Sequence, residues 1–335
     1  MTIARGFLHS RILLTVLFGF WCRATMALAE PGGVAAAGRE ATMRMMRDGD
    51  SKLPSEFTVV FEMRIPAVWF DPKQGIQISR CTFAVDGAVQ GLTIQNEFSA
   101  DPVYRAPEAR VYQPMDYDQD LNLILWRSLE KKVLSTSEMN RVYDVQQMNR
   151  VSPDGQVIER TSQTQVYEYP VGSTDSIYEV TQMRLASGRG FSRYLDAFKT
   201  ERRREDGLLE LVASGQYGPG LVGEWQLTID PTAHYLIRWG ALLIESLERP
   251  AIRVVTHGFT PVQDNVPLAA GGVLYFARRD DDYRVEISVL DYSPLAPDRG
   301  HLSKLRDVVG ARIRDGSEVV DYRGREPRRY VVGEE

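Results

Sequence analysis

Residues 207–244 show a two-residue alternation of apolar and polar side chains, interrupted by turn signals, which is incompatible with helices and restricts this part of the chain to β-strands. The alternating runs are LLELVA, EWQLTI and YLIRWGALLI, at 208–213, 224–229 and 235–244. In the second run Trp225, Leu227 and Ile229 fall on one face, because side chains alternate along a strand. Asp230 and Pro231 follow and form a turn signal. Such runs separated by turns predict antiparallel hairpins.

Comparable runs recur from about residue 57 to residue 290 at hairpin-like spacing. Asp86-Gly87 and Pro153-Asp154-Gly155 supply turn residues between two pairs of them. The composition, 43% hydrophobic and 25% charged, is that of an ordinary globular protein. The sequence therefore predicts a mostly β fold of the α+β kind. We expect a strongly curved antiparallel sheet, or an incomplete barrel, with a few helices.

The patterns also divide the chain into segments. The predicted division is a signal peptide at 1–29, an N-terminal arm or short helix at 30–52, a curved β domain at 53–293, and a C-terminal helix with a charged tail at 294–335. The β domain contains a proline-rich insertion at 99–120 and one predicted helix at 189–205. The helix is predicted from the i, i+3, i+4, i+7 spacing of apolar residues, which is typical of one helical face and is formed here by Phe191, Tyr194, Leu195 and Phe198.

The N-terminus has the pattern of a secretory signal peptide. Arg5 and Arg11 precede an uncharged, mostly apolar run of 11 residues at 12–22, too short to span a bilayer core of about 30 Å. Ala27-Leu28-Ala29 then matches a signal-peptidase site, which predicts cleavage between Ala29 and Glu30. An uncleaved anchor is the alternative. We expect a periplasmic or extracellular protein with no transmembrane segment in its mature chain.

Charge and cysteine content argue against a nucleic-acid-binding protein and against a fold stabilised by an intrachain disulfide. The formal net charge is −5, with the arginines scattered along the chain, so binding to nucleic acid is not expected. Of the two cysteines, Cys22 lies in the signal peptide, which leaves Cys81 without an intrachain disulfide partner. Cys81 is interpreted as a small buried apolar residue.

No catalytic or metal signature stands out. His234, His257 and His301 have no His or Cys at metal-ligand spacing, and the chain lacks G-x-S-x-G. The glycines at 215–223 lack the Lys-Ser/Thr of a phosphate-binding loop. No cofactor and no metal ion are therefore predicted, and no catalytic residue is assigned.

What remains is a set of large apolar side chains on β segments. Its members are Phe57, Phe61, Trp126, Trp225, Tyr235, Leu236, Trp239 and Phe276. A curved sheet lined by such residues can hold a hydrophobic ligand. The alternative is that they pack as an ordinary core.

The motif Gly223-Glu-Trp225-Gln-Leu227-Thr-Ile229-Asp230-Pro231, followed by a returning strand, resembles the LolA-like family of periplasmic lipoprotein carriers. This resemblance implies an incomplete antiparallel barrel covered by helices, which binds lipid acyl chains without catalysis. The chain is longer than a typical carrier, and the family's mouth-lining residues have no counterparts that can be placed here.

The sequence thus favours an exported, non-enzymatic protein that binds a lipid or other hydrophobic group. The cavity-lining candidates are Trp225, Leu227, Tyr235 and Trp239, which alternation places on one face of a hairpin. One alternative is an envelope-associated interaction module with a packed barrel, no ligand, and other envelope proteins as partners. The other is a secreted hydrolase whose catalytic residues the sequence does not bring together.

Overall fold

The fold is described from a computed structural model. It describes residues 34–51, 56–66, 76–99, 123–152, 154, 156–171, 178–217, 220–261, 267–277, 282–293, 299–310, 316–324 and 326–333. The predicted signal peptide at 1–29 and nearly all of the proline-rich insertion at 99–120 lie outside these ranges.

Strands dominate the described residues. They are β1 Glu56–Pro66, β2 Ile76–Asp86, β3 Val89–Ser99, β4 Leu123–Ser135, β5 Asn140–Val151, β6 Val157–Tyr169, β7 Leu195–Arg203, β8 Leu209–Gln216, β9 Val222–Asp230, β10 Leu236–Leu243, β11 Ile252–Thr256, β12 Phe259–Pro261, β13 Pro267–Ala269, β14 Gly271–Ala277, β15 Asp282–Ser293, β16 Glu318–Asp321 and β17 Arg328–Val331. The helices are α1 Val34–Ser51, α2 Tyr178–Ala186 and α3 Arg299–Leu305, with short 3-10 helices at Ser192–Tyr194 and Pro231–Ala233 and a π-helical turn at Arg306–Gly310.

One curved, unclosed sheet contains all of these strands except β12 and β13, which pair with each other, and such a curved sheet is what the alternation predicted. Its 15 strands follow the order β17-β16-β6-β5-β4-β3-β2-β1-β15-β14-β11-β10-β9-β8-β7. Every pairing in it is antiparallel except β16 with β6, which is parallel. Most neighbours are also consecutive in the chain, because short hairpin turns join antiparallel strands.

The two faces of the sheet are covered differently. The inner face, defined here by Phe61, Phe83, Leu92 and Val133, carries the main core, whose buried residues extend from β4 to β7 in the strand order and include residues of α1 and α2. A smaller core on the outer face joins Ala84 and Leu134 to Leu302, Leu305 and Val309 of the C-terminal helical segment. Cys81 is fully buried in the main core as a free thiol, as predicted, and burial raises the pKa of that thiol.

The helix predicted at 189–205 is wrong. After the 3-10 turn at Ser192–Tyr194, residues Leu195–Arg203 form β7, paired with β8 at the edge of the sheet. Helical spacing of four apolar residues was outweighed by the backbone hydrogen bonds that β8 offers to a neighbouring strand. The turn at Gly207, with φ of 85°, then closes a β7–β8 hairpin.

The charged C-terminal tail is also part of the sheet. Val319–Asp321 pair in parallel with Val166–Glu168 of β6, and β17 adds the next strand. The side chain of Arg323 binds both Asp321 and Glu168, at 2.9 Å in each case. Each of these two strands has only four residues, which is too few for an alternating pattern to be recognised in the sequence.

No helix among the described residues is long and apolar enough to cross a membrane.

Candidate functional site

Two of the four predicted ligand-binding residues are core residues. Trp225 is 0% exposed and Leu227 is 2% exposed, both within the main core. The Trp225 ring meets Phe191 edge-on, with ring centroids 5.6 Å apart and planes at 85°. The indole Nε1 of Trp225 has no hydrogen-bond partner in the described part of the chain. These two side chains fill the half of the sheet that was expected to hold a ligand.

Of the other two candidates, Trp239 lies on the opposite face, whereas Tyr235 packs against the main core from a turn. Trp225 and Leu227 lie opposite Leu242 and Gly240, and directly opposed residues of an antiparallel pair share a face. Trp239 lies opposite Thr228, on the other face, because the register shifts between Ile237 and Trp239. A one-residue slip moves every following side chain across the sheet. Tyr235 lies in the turn before β10, in the left-handed region with φ of 61°.

The Asp-Pro turn of the motif has a structural explanation. The carboxylate of Asp230 accepts hydrogen bonds from the backbone N–H groups of Thr232 and Ala233, as an N-cap residue does. It also binds the guanidinium of Arg238 at 2.6 Å, and Arg238 stacks over the ring of Phe259 at 4.4 Å. Burial alone would raise the pKa of Asp230, but the hydrogen bonds from Thr232 and Arg238 outweigh it and lower that pKa.

The lowered pKa of Asp230 predicts that the free energy of unfolding depends on pH. Because folding lowers the pKa of Asp230, its contribution is complete above the unfolded-chain pKa of about 3.9 and is lost as the pH falls through the folded value. We expect Asp230→Ala to lower the free energy of unfolding by about 1–2 kcal/mol at pH 7 through loss of the cap. Denaturant unfolding of both proteins from pH 7 down to pH 2.5 should show the difference shrinking below pH 4. A constant difference would contradict an ionic role for Asp230.

The inner face at the β2–β6 end is polar, in contrast to the Trp225 end. We call its hydrogen-bonded side chains the polar row, and its members are Gln77, Ser79, Asn96, Ser128, Asp144, Gln146, Gln165 and Tyr167. All lie on the inner face. Ser79 is paired with Met63 and Tyr167 with Val142, and each other member is paired with a residue of this face or lies two residues from one along its strand.

The polar row forms a continuous chain across five strands. Gln77 donates to Ser79 (3.0 Å), Ser79 to Asn96 (2.6 Å), and Asn96 to the Ser128 carbonyl (2.8 Å). Ser128 and Gln146 donate to the two carboxylate oxygens of Asp144, at 2.7 and 2.8 Å. Gln146 also donates to the hydroxyl of Tyr167 (2.9 Å), which donates to Gln165 (2.7 Å). Such a chain fixes side-chain rotamers before any ligand arrives.

A cavity of about 390 Å³ lies against this row, between β4–β6 and the start of α2. We call it the tyrosine cavity, because three tyrosines line it. Its lining is Lys131, Val133, Asn140, Val142, Asp144, Tyr167, Tyr169, Tyr178 and Glu179. Pockets of about 300–1,000 Å³ that combine apolar walls with a few placed polar groups are typical small-molecule sites.

The charged groups of the tyrosine cavity are held in a fixed arrangement. Lys131 Nζ lies 3.3 Å from Glu179 Oε1, with side chains 29% and 12% exposed. Burial would lower the pKa of Lys131, but the carboxylates of Glu179 and Asp144 outweigh it and raise that pKa. The ammonium is therefore charged at neutral pH, beside two carboxylates.

The tyrosine hydroxyls are protonated at neutral pH. Burial raises the pKa of Tyr167 to about 12, and it also raises the pKa values of Tyr169 and Tyr178. Tyr169 stacks on Tyr322, with ring centroids 5.2 Å apart and planes at 5°, and Tyr322 also stacks on Tyr167. The neighbouring aromatic stack thus holds two of the three rings in place.

A second cavity, of about 670 Å³, lies between the β4–β5 turn, the end of β6 and the π-helical turn. Its walls include Arg141, Arg306 and Arg323. Glu168 binds Arg141 at 2.6 Å and Arg323 at 2.9 Å, so part of this positive charge is already compensated. Asn140 and Tyr169 line both cavities.

The tyrosine cavity was missed by sequence reasoning. The strand at 161–169 does show polar residues on one face, which sequence alone interprets as an edge position or as exposure to solvent. Hydrogen bonding between these residues and β5 depends on register, and Glu179 arrives from a helix that local patterns did not single out. The described residues contain no group of three His, Cys, Asp or Glu side chains that could hold a metal ion.

No family model matches the chain, and no curated protein matches it. Among solved structures, it is similar to an outer membrane lipoprotein-sorting protein domain from Vibrio parahaemolyticus, with 11% identity and a TM-score of 0.40 over 80% of this chain and 97% of that one. The function proposed below rests on the side chains described above.

Proposed function

We propose that this protein binds an amphipathic, lipid-like molecule in the tyrosine cavity and does not convert it chemically. The observation that carries the proposal is the meeting, in one cavity of about 390 Å³, of apolar and aromatic walls with a row of hydrogen-bonded polar side chains. Apolar burial would supply affinity at about 25 cal/mol per Å², and the polar groups would fix orientation.

The proposed binding site lies away from the hairpin of Trp225, where the sequence had predicted it. Because the core fills that half of the sheet, a ligand there would have to displace packed side chains such as Phe191 and Leu227. The β4–β6 half instead offers Val133 and Val142 as an apolar floor beside an open volume.

We also propose that the protein acts outside the cytoplasm. The support is the sequence pattern of Arg5, Arg11 and Ala27-Leu28-Ala29, which lies outside the described residues. Export would place the cavity where membrane lipids and lipid-linked molecules are available as ligands.

Native mass spectrometry of residues 30–335, exported by a bacterial host and purified without detergent, tests the proposal. We expect an additional mass that organic extraction removes. In Val142→Glu, a carboxylate in the cavity floor should abolish that mass, because a charge opposes an acyl chain there. Val212→Glu, at a partly buried strand position outside the cavity lining, is the matched control and should keep it.

Absence of bound mass in the wild type, together with no uptake of added dodecanoic acid or short-chain phospholipid, would contradict the proposal. Thermal unfolding of both variants separates loss of the cavity from loss of the fold. If the two variants unfold alike and both keep the mass, the ligand lies elsewhere.

An interaction module is the second candidate, and one observation favours it. Val157–Thr164 of β6 are exposed, and β16 pairs only with Val166–Glu168, so no described strand covers the outer edge of 157–164. A free edge can accept a strand from another protein. A clean mass in the experiment above, with association detected by light scattering, would favour this candidate.

A further inference from the structure

We propose that the polar end of the ligand is a zwitterionic headgroup, a phosphate joined to an ammonium group, held by the tyrosine cavity. The inference rests on the proposed function and specifies its ligand class. It depends on the pairing, within one cavity, of an aromatic and acidic wall with a single lysine.

The acidic and aromatic wall suits the ammonium. Tyr167, Tyr169 and Tyr178 present three ring systems, and Asp144 and Glu179 add two carboxylates. Cations bind over tyrosine faces, and aromatic cages of this kind recognise quaternary ammonium groups. Asp144 accepts one hydrogen bond on each carboxylate oxygen, and its negative charge also attracts a quaternary ammonium, which has no N–H to donate.

Lys131 suits the phosphate. It is the only cation in the lining of the tyrosine cavity among the described residues, and its side chain keeps 29% exposure. A phosphate oxygen can share the Lys131 ammonium with Glu179, because an ammonium has three donors. The protonated hydroxyl of Tyr169 is a further donor for a phosphate oxygen, whereas the hydroxyl of Tyr167 already donates to Gln165.

The charge balance distinguishes this ligand from simpler ones. One ammonium and two carboxylates give the lining a formal charge of −1. A purely anionic headgroup would meet one favourable and two unfavourable charges. An uncharged lipid headgroup would gain no attraction from the charged side chains of the cavity. A zwitterion of matching polarity gains from both signs.

Calorimetric titration with three soluble probes, each below its micelle concentration, tests the inference on residues 30–335. The probes are dihexanoylphosphatidylcholine, dihexanoylphosphatidylglycerol and dihexanoylglycerol, which share acyl chains and differ in headgroup charge. We expect the zwitterionic probe to bind at least about tenfold more tightly than either of the others, as expected for a desolvated cation–π contact with added carboxylates.

Two variants locate the effect. Tyr178→Leu and Glu179→Gln should each weaken binding of the zwitterionic probe about fivefold or more while leaving the anionic probe unchanged or improved. Tyr330→Leu is the matched control, because Tyr178 and Tyr330 are 42% and 41% exposed and Tyr330 lies outside the cavity. It should bind all three probes as the wild type does.

The outcomes separate the two proposals. Equal binding of the three probes, or tighter binding of the anionic one, would overturn the headgroup assignment and leave lipid binding standing. Binding of none of them would overturn the proposed function itself. A preference for the zwitterion that Tyr178→Leu and Tyr330→Leu reduce equally would also overturn the assignment to this cavity.

Discussion

Replacement of Trp225 by alanine is expected to lower the free energy of unfolding by about 3–5 kcal/mol. The ring is fully buried, lies edge-on to Phe191, and faces Leu227 and Leu242 on the same side of the β9–β10 pair. Removing it leaves a cavity that the surrounding strands cannot close, because their backbones are fixed by the sheet. Since a typical domain is stable by about 5–15 kcal/mol, this loss is a large part of the total.

Trp239→Ala is the matched control. Trp239 is a tryptophan of the same hairpin, but it lies on the other face and is partly exposed, so we expect a loss of about 1–2 kcal/mol. Denaturant unfolding followed by far-UV circular dichroism measures both variants. If Trp225→Ala kept wild-type stability but lost its ligand, the original assignment of Trp225 to a binding cavity would be right and the core assignment wrong.

Gly188→Ala is expected to cost about 2–5 kcal/mol. Gly188 follows α2 with φ of 72°, where an L side chain costs about 1–2 kcal/mol. A Cβ there would also lie 2.3 Å from the carbonyl oxygen of Ile237, and such overpacking costs about 1–3 kcal/mol more. The same turn is pinned to β10, since Ile237 N–H donates to the Gly188 carbonyl at 3.1 Å. The variant would therefore strain the turn that joins the end of α2 to β10.

Gly207→Ala isolates the backbone contribution. Gly207 has φ of 85°, but a Cβ added there meets no atom within 4 Å. We expect a loss of about 1–2 kcal/mol from the left-handed conformation alone. Thermal unfolding monitored by circular dichroism compares the two glycines. Equal losses would mean that the close approach of Ile237 contributes nothing.

Much of the fold could be predicted because alternation is a local property. The runs around Trp225, Leu227 and Ile229 identified strands whose partners are also neighbours in the chain. The predicted helix at 189–205 failed for a non-local reason: Leu195–Arg203 pairs with β8 at a sheet edge, and a four-residue helical spacing contains no information about that edge. The strand at 318–321 was missed because its partner, β6, lies far away in sequence.

The candidate site was less accessible to sequence reasoning. Alternation correctly placed Trp225 and Leu227 on one face, but it does not tell whether that face is filled or open. It also assigned Trp239 to that face, which the register shift after Ile237 reverses. The tyrosine cavity combines Lys131, Asp144, Tyr167 and Glu179 from three strands and a helix. No spacing rule connects these residues.

The fold class and the hairpin around Asp230-Pro231 could be predicted from the sequence, which also predicts an export signal whose removal would leave Cys81 without an intrachain disulfide partner. Each of these depends on a period of two residues, a short composition pattern or a count. Which half of the curved sheet is packed and which keeps a cavity follows from the folded chain alone. That outcome depends on register, on where α1 and α2 cover the inner face, and on the chain of side-chain hydrogen bonds that runs from β2 through β3, β4 and β5 to β6.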